Sequence, residues 1–137
     1  MSRLLFPLLL LLLPLLGHAQ DESKQKAAIV AAVNWLALTD AGKADESWKE
    51  AAPYLQNAVA KDDWAKVLQA VRKPLGSVVS RKVLSSMYTT ALPGAPDGEY
   101  VVIQFQTEFA AKKSAIETVT PMLDKDGTWR VSGYLIK

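Results

Sequence analysis

The 137-residue sequence has no cysteine and a single histidine, His18. Without cysteine there are no disulfides, no thiol redox chemistry and no thiolate ligands for a metal. His18 falls in the leader expected below, so the mature chain would have neither histidine nor cysteine, and with them no Ser-His or Cys-His catalytic pair and no ordinary zinc site. Catalysis in this chain would have to rest on carboxylates, tyrosines, lysines or arginines. No metal and no cofactor are therefore expected. A concentrated charge of either sign is also lacking. The net charge is +2, and the basic pairs Arg72-Lys73, Arg81-Lys82 and Lys112-Lys113 are scattered and offset by acids such as Asp62-Asp63. This distribution argues against nucleic acid as a partner.

A long hydrophobic run is missing too. Arg3 precedes an apolar stretch from Leu4 to Leu16, interrupted by Pro7 and Pro14 and followed by Gly17-His18-Ala19. The stretch is shorter than the ~20 residues a membrane-spanning helix needs. A basic start, a short apolar region and a small-x-small triplet together form the pattern of a secretory signal peptide. The expected division is a signal peptide over 1–19 and one α+β domain over 20–137, with cleavage before Gln20, no membrane span after leader removal, and a periplasmic or secreted destination. Cleavage after residue 19 of 137 leaves 118 residues, enough for a core without covalent staples. With no cysteine after the run, lipid attachment of the bacterial lipoprotein kind is excluded.

The rest of the chain divides by periodicity. From Ser23 to about Ala41 the apolar positions Ala28, Ile29, Ala32, Val33, Trp35 and Leu36 form a helical stripe that Gly42 stops. Asp45 is placed to cap a second helix with the stripe Trp48, Ala51, Ala52 and Leu55, where Pro53 either kinks the helix or restarts it. Asp62 is placed to cap a third, with Trp64, Val67, Leu68 and Val71 inward and Pro74 and Gly76 ending it. The four tryptophans are expected to anchor the core. From Ser77 the period becomes two. Val79, Arg81, Val83 and Met87 are expected on one face of a first strand, and Val101, Ile103, Phe105 and Phe109 on one face of a second. A third strand runs from about Ser114 to Leu123 and a fourth from Thr128 to Ile136. The expected fold is α+β, with N-terminal helices packed on a C-terminal curved four-stranded antiparallel sheet. The segment PGAPDG, residues 93–98, joins two strands and precedes no helix. It reads as a corner and lacks the setting of a phosphate loop.

The segments NWLALTDAGKADESW, VRKPLGSVVSR, LPGAPDGEYVVIQFQTEF, ETVT and DGTWRVSGYLIK, in that order, resemble the exported bacterial family known as Domain of Unknown Function 4019. The resemblance covers nearly all of the chain after the leader. It implies an exported bacterial protein and brings no catalytic residue with it. The order of helices then sheet is also similar to the cystatin-like, nuclear-transport-factor-two-like architecture, which hosts both enzymes and binding modules. The Gln-x-Val-x-Gly hairpin of the cystatin inhibitors is absent.

Within the strands the pattern breaks at charged positions. The turn Asp124-Lys125-Asp126-Gly127 admits a two-residue type I′ loop or a type I turn with Gly127 left-handed as a bulge; the second is favoured because Asp124 then takes the preferred first position. That register pairs Leu123 with Trp129, Val119 with Gly133 and Glu117 with Leu135, and turns Glu117 inward. Arg81 is also expected inward. Two charges in one apolar layer need partners, so Arg81 and Glu117 are expected to meet across the intervening strand. Tyr100, Val102, Tyr134 and Ile136 are assigned to the opposite face, where they suggest a homodimer through the sheet. The candidate binding residues are Arg81, Glu117, Tyr88 and Tyr134. The expected function is that of an exported, non-enzymatic small binding or interaction domain. The alternatives are an enzyme using a buried carboxylate and a tyrosine, or an assembly protein using its outer sheet face.

Overall fold

The structure, a computed structural model, describes residues 13–137, and for Leu13–Leu16 and His18 the backbone alone. Most of the expected leader lies outside the described residues. Helix α1 spans Leu13–Asp40, followed by α2 (Ala44–Glu50), α3 (Pro53–Ala58) and α4 (Lys61–Arg72). Then come strands β1 (Val78–Thr89), β2 (Tyr100–Phe109), β3 (Lys112–Leu123) and β4 (Trp129–Ile136). The strands form one antiparallel sheet in the order β1-β2-β3-β4. The fold is α+β, helices first and sheet second. Among the described residues no helix is long and apolar enough to cross a membrane.

The helical layer is cut where the sequence punctuates it. Helix α1 ends before Gly42, which takes a positive φ of 72°. Pro53 restarts the chain as the first residue of α3, where its missing N–H has no intrahelical partner to lose. The acids expected as caps sit one or two positions inside their helices: the N-caps are Lys43 and Ala60, and Asp45, Asp62 and Asp63 occupy first turns, favoured there by the macrodipole. The stripe of α4 is Trp64, Leu68 and Arg72, at i, i+4 and i+8. Val67 and Val71, expected inward, face solvent, as does Val33 of α1.

Tryptophans join the helices. Trp35 Nε1 donates to the Ser47 carbonyl at 2.8 Å and Trp64 Nε1 to the Ser47 hydroxyl at 2.9 Å. Trp48 Nε1 donates to the Val59 carbonyl at 2.7 Å. Buried indole N–H groups without acceptors would each cost about 1–3 kcal/mol, so these bonds fix how α1, α2 and α4 meet. Trp35 and Trp64 are buried; Trp48 and Trp129 pack, partly covered, against the same core with Val101, Ile103, Phe105, Val119 and Val131.

The sheet departs from strict alternation at bulges. Between β1 and β2 the register shifts at Val79 and again at Leu84. Val78, Arg81, Val83, Ser86 and Tyr88 therefore pair with the inward residues Phe109, Thr107, Phe105, Ile103 and Val101. Val79 is left exposed at its bulge, and Met87, expected inward, pairs with Val102 on the outer face, 56% exposed. At the β3–β4 end the turn is the favoured one. Gly127 N–H donates to the Asp124 carbonyl, Asp124 N–H to the Thr128 carbonyl, both at 2.9 Å, and Gly127 has φ 81°. Leu123 pairs with Trp129 as expected.

One step further the expected register fails. A bulge at Ser132 lies between the pairs Pro121–Val131 and Thr120–Gly133. Val119 consequently pairs with Tyr134 and Glu117 with Ile136, not with Gly133 and Leu135. Tyr134 and Ile136 turn to the inner face, and Leu135 turns out, 54% exposed. Ser132 Oγ donates to the Thr120 carbonyl at 2.7 Å and fastens the bulge. Of the other two residues assigned to the outer face, Val102 stays there, and Tyr100 is buried, its hydroxyl donating to the Pro96 carbonyl at 2.6 Å. The PGAPDG segment thus packs its own corner against Tyr100. The helical layer also reaches the edge strand β4, where Ala52 N–H donates to the Val131 carbonyl at 2.8 Å.

Gly127 tests the turn. Nothing lies within 4 Å of a Cβ placed there, so the cost of a side chain is conformational alone. Gly127→Ala is expected to lower stability by about 1–2 kcal/mol in denaturant titration, with Gly127→Asn milder because Asn tolerates the left-handed region. Equal losses for the two would sink the left-handed turn as the cause.

Candidate functional site

The central feature is a chain of charges on the inner face of the sheet. Glu117, on β3, is fully buried (0% exposed). Its Oε1 accepts from Arg81 Nε at 2.7 Å and from Thr107 Oγ1 at 2.6 Å, and its Oε2 accepts a close hydrogen bond from the Tyr134 hydroxyl. Arg81 stands on β1, Thr107 between it and Glu117 on β2, and Tyr134 beyond Glu117 on β4. All four strands thus contribute one member. The Ser132 bulge is what brings Tyr134 to the acid; with strict alternation its hydroxyl would point to solvent.

The chain continues toward the helices. Arg81 donates from both terminal nitrogens to Asp40, the last residue of α1, at 2.8 and 3.0 Å. Asp40 Oδ1 also accepts from Arg72 Nη2 at 2.8 Å, and Arg72 Nη1 donates to Thr39 Oγ1 at 2.9 Å. Thr39 in turn donates to the Leu36 carbonyl at 2.8 Å. The Arg72 guanidinium lies 5.0 Å from the Phe109 ring centroid, a cation–π contact. Its buried Nε has no hydrogen-bond partner among the described residues. Two carboxylates and two guanidiniums alternate, so their formal charges cancel.

Protonation follows from these contacts. Burial pushes the Asp40 carboxyl up, but the hydrogen bonds from Arg81 and Arg72 together outweigh it and hold the group below the usual range. Burial likewise opposes the charge on Arg81, and its bonds to Asp40 and Glu117 more than restore it. Burial, reinforced by the neighbouring charge of Glu117, drives the Tyr134 phenol well above its ordinary value, so it stays a hydrogen-bond donor.

The candidate binding residues thus divide. Arg81, Glu117 and Tyr134 meet in one network. Tyr88 stands apart: its hydroxyl donates to Glu99 at 2.8 Å, and Lys24 Nζ sits 2.6 Å from the same carboxylate oxygen and 4.9 Å from the Tyr88 ring centroid. This half-exposed cluster ties α1 to the sheet, and surface pairs of this kind contribute little individually. At the last turn Arg130 engages Asp124 and Asp126, each at 2.8 Å, so both carboxylates of the DKDG segment are already occupied. The sequence reading missed Thr39, Asp40, Arg72 and Thr107. Two signals were available: Asp40 places a negative charge at a helix C-terminus against the macrodipole, and Thr107 interrupts an otherwise apolar inward row.

One end of the network borders a cleft. A cleft of about 610 Å³ is bounded by the end of α1, by α4 and by the segment leading into β1, and both Asp40 and Arg72 line it. Glu117 and Tyr134 do not. Residues 31–134 match the model of the family described as Protein of unknown function (DUF4019). No curated protein and no solved structure matches the chain.

Two measurements test the network. Arg81→Met leaves Glu117 buried without its cation and is expected to cost about 3–5 kcal/mol, the range for breaking a buried pair from one side. Adding Glu117→Gln is expected to recover part of that loss, a coupling that a double-mutant cycle on unfolding free energies reads directly; strict additivity would mean the two do not interact. Asp40 has a lowered pKa in the folded state, so its stabilisation is complete above its unfolded value of about 4 and disappears as pH falls through the folded one. Asp40→Asn should flatten the fall in Tm on acidification below about pH 4. An unchanged acid limb would rule Asp40 out as a source.

Proposed function

Because the chain belongs to the DUF4019 family, whose description brings no activity with it, we propose from the geometry that it is an exported, non-enzymatic small binding domain with its ligand site in the cleft beside Asp40 and Arg72. The observation that carries this reading is the sealing of Glu117. A general acid or base must reach its substrate directly or through one water. Glu117 has no exposed surface, and three protein donors occupy its oxygens. The carboxylate–tyrosine enzyme would require Glu117 and Tyr134 to open onto a pocket, and the cleft stops short of both. The assembly reading loses three of the four residues it was built on, since Tyr100 is covered and Tyr134 and Ile136 turn inward, while Met87 and Leu135 turn out in their place.

Export is part of the proposal. It is supported by the leader pattern and by the placement of the expected cleavage point. Ala19 and Gln20 are exposed on α1, and the first side chain of α1 to hydrogen-bond the sheet region among the described residues is that of Lys24. Removal of residues 1–19 costs none of the side-chain bonds described above.

Native mass spectrometry of the protein purified without denaturant from its own source tests both parts. The expected species is a chain beginning at Gln20 with a small-molecule adduct, which is lost on filling the cleft with Gln69→Trp at an exposed rim position. A mass retaining the leader would sink export. An adduct retained by Gln69→Trp would move the site elsewhere, and turnover abolished by Glu117→Gln in a folded protein would establish the enzyme instead.

A further inference from the structure

The ligand's chemistry can be taken from the charge count of the cleft. Its charged lining consists of Asp40, Arg72 and Lys73. Asp40 is committed to Arg72 and Arg81, and Arg81 in turn to Glu117. Within that set every charge has its opposite. Lys73 is the remainder: it is exposed, it makes no ion pair among the described residues, and it follows Arg72 directly in the chain. The cleft is therefore short of one negative charge. Hydrogen-bond donors are also in surplus. Of the five N–H groups a guanidinium carries, Arg72 places two on protein acceptors, on Thr39 and Asp40, although the residue is only 9% exposed.

The rest of the lining is largely small or apolar. Leu68 is buried at the floor, and Ala44, Ala65, Gly42 and Gly76 lie around it. Gln69 and Ser77 add neutral polar groups. The volume of about 610 Å³ falls in the ordinary range for small-molecule sites, about 300–1,000 Å³. Resting on the binding-domain reading of this cleft, we infer that it takes a small organic monocarboxylate, with the carboxylate held by Lys73 and Arg72 and a short apolar body laid over Leu68 and Ala65. A guanidinium and an ammonium lining one cleft suit a carboxylate, the first through directed N–H donors and the second as a point charge. A phosphate monoester carries about −1.5 to −2 at neutral pH and would overfill a site lacking one charge.

The test compares four probes that share one six-carbon tail: hexanoate, hexylamine, 1-hexanol and hexyl phosphate. Each is titrated into the ¹⁵N-labelled chain from Gln20 onward, with amide shifts followed at residues 39–44, 65–77 and elsewhere. Hexanoate is expected to perturb the cleft residues saturably and more tightly than the other three. Lys73→Glu should weaken it about tenfold or more, Lys73→Arg should retain it, and added salt should weaken it because Lys73 is exposed. Lys73 lies outside the folded core, so an unchanged Tm verifies that the variant is intact. Hexylamine or hexanol bound in the cleft as tightly as hexanoate would overturn the carboxylate assignment and leave the binding-domain reading standing. Tighter hexyl phosphate would overturn the count of one charge. Absence of saturable shifts with every probe would overturn the inference, while a native adduct lost on Gln69→Trp would still uphold the cleft as a site.

Discussion

A carboxylate in the middle of an apolar layer sets the terms for much of this molecule. Glu117 is shut off from water, and an uncompensated charge there would cost several kcal/mol or force the group to neutralise. The chain answers with a cation from β1, a hydroxyl from β2 and a phenol from β4. Because each of the other three strands supplies a donor, the register of the whole sheet is bound to one pair of oxygens. A one-residue slip in any strand would send a donor to the wrong face. Buried pairs of this kind are weak evidence for stability in themselves, since a packed apolar set can replace them. Their clearer effect here is to discriminate among registers.

The same requirement extends to the helices. Arg81 has more donors than Glu117 can accept, and its terminal nitrogens take Asp40. Asp40 then has an oxygen for Arg72, and Arg72 lies on the buried stripe of α4. The end of α1 and the end of α4 are thereby fixed relative to the sheet by directed bonds as well as by packing of Trp35, Trp64 and Leu68. Glu117 is fully buried within the network, while Asp40 and Arg72 line a cleft. On the proposed reading, Glu117 serves the sheet and the Asp40–Arg72 end borders the ligand site.

Bulges decide which side chains join the network. Val79, Leu84 and Ser132 each insert one residue, and each reverses the facing of the strand residues beyond it. The sequence marks the last of them indirectly. Pro121 lies in an internal strand and Gly133 directly follows the bulge on β4, and proline and glycine inside strands accompany irregular pairing. No comparable mark distinguishes Val79 or Leu84, which read as ordinary strand residues. Arg81 and Glu117 do face inward as expected, although the premises behind them did not hold: Val79 and Met87 of the expected Arg81 row are exposed, and Glu117 pairs with Ile136 instead of Leu135. Tyr134 does not face as expected, because its facing depends on a bulge two residues earlier.

By itself the sequence determined the order of helices and strands, the breaks at Gly42, Pro53 and Gly127, and the thiol chemistry excluded by having no cysteine. These depend on backbone allowances and on side-chain inventory, which are local. It also placed Arg81 and Glu117 in the same layer, since two inward charges must be reconciled wherever the strands lie. Only the tertiary structure decided that Asp40 and Arg72 join them, because those residues sit 32 positions apart on helices whose meeting depends on the packed tryptophans. The cleft belongs to that level as well. It is space left between the ends of α1 and α4 and the start of β1, and space between elements has no sequence of its own.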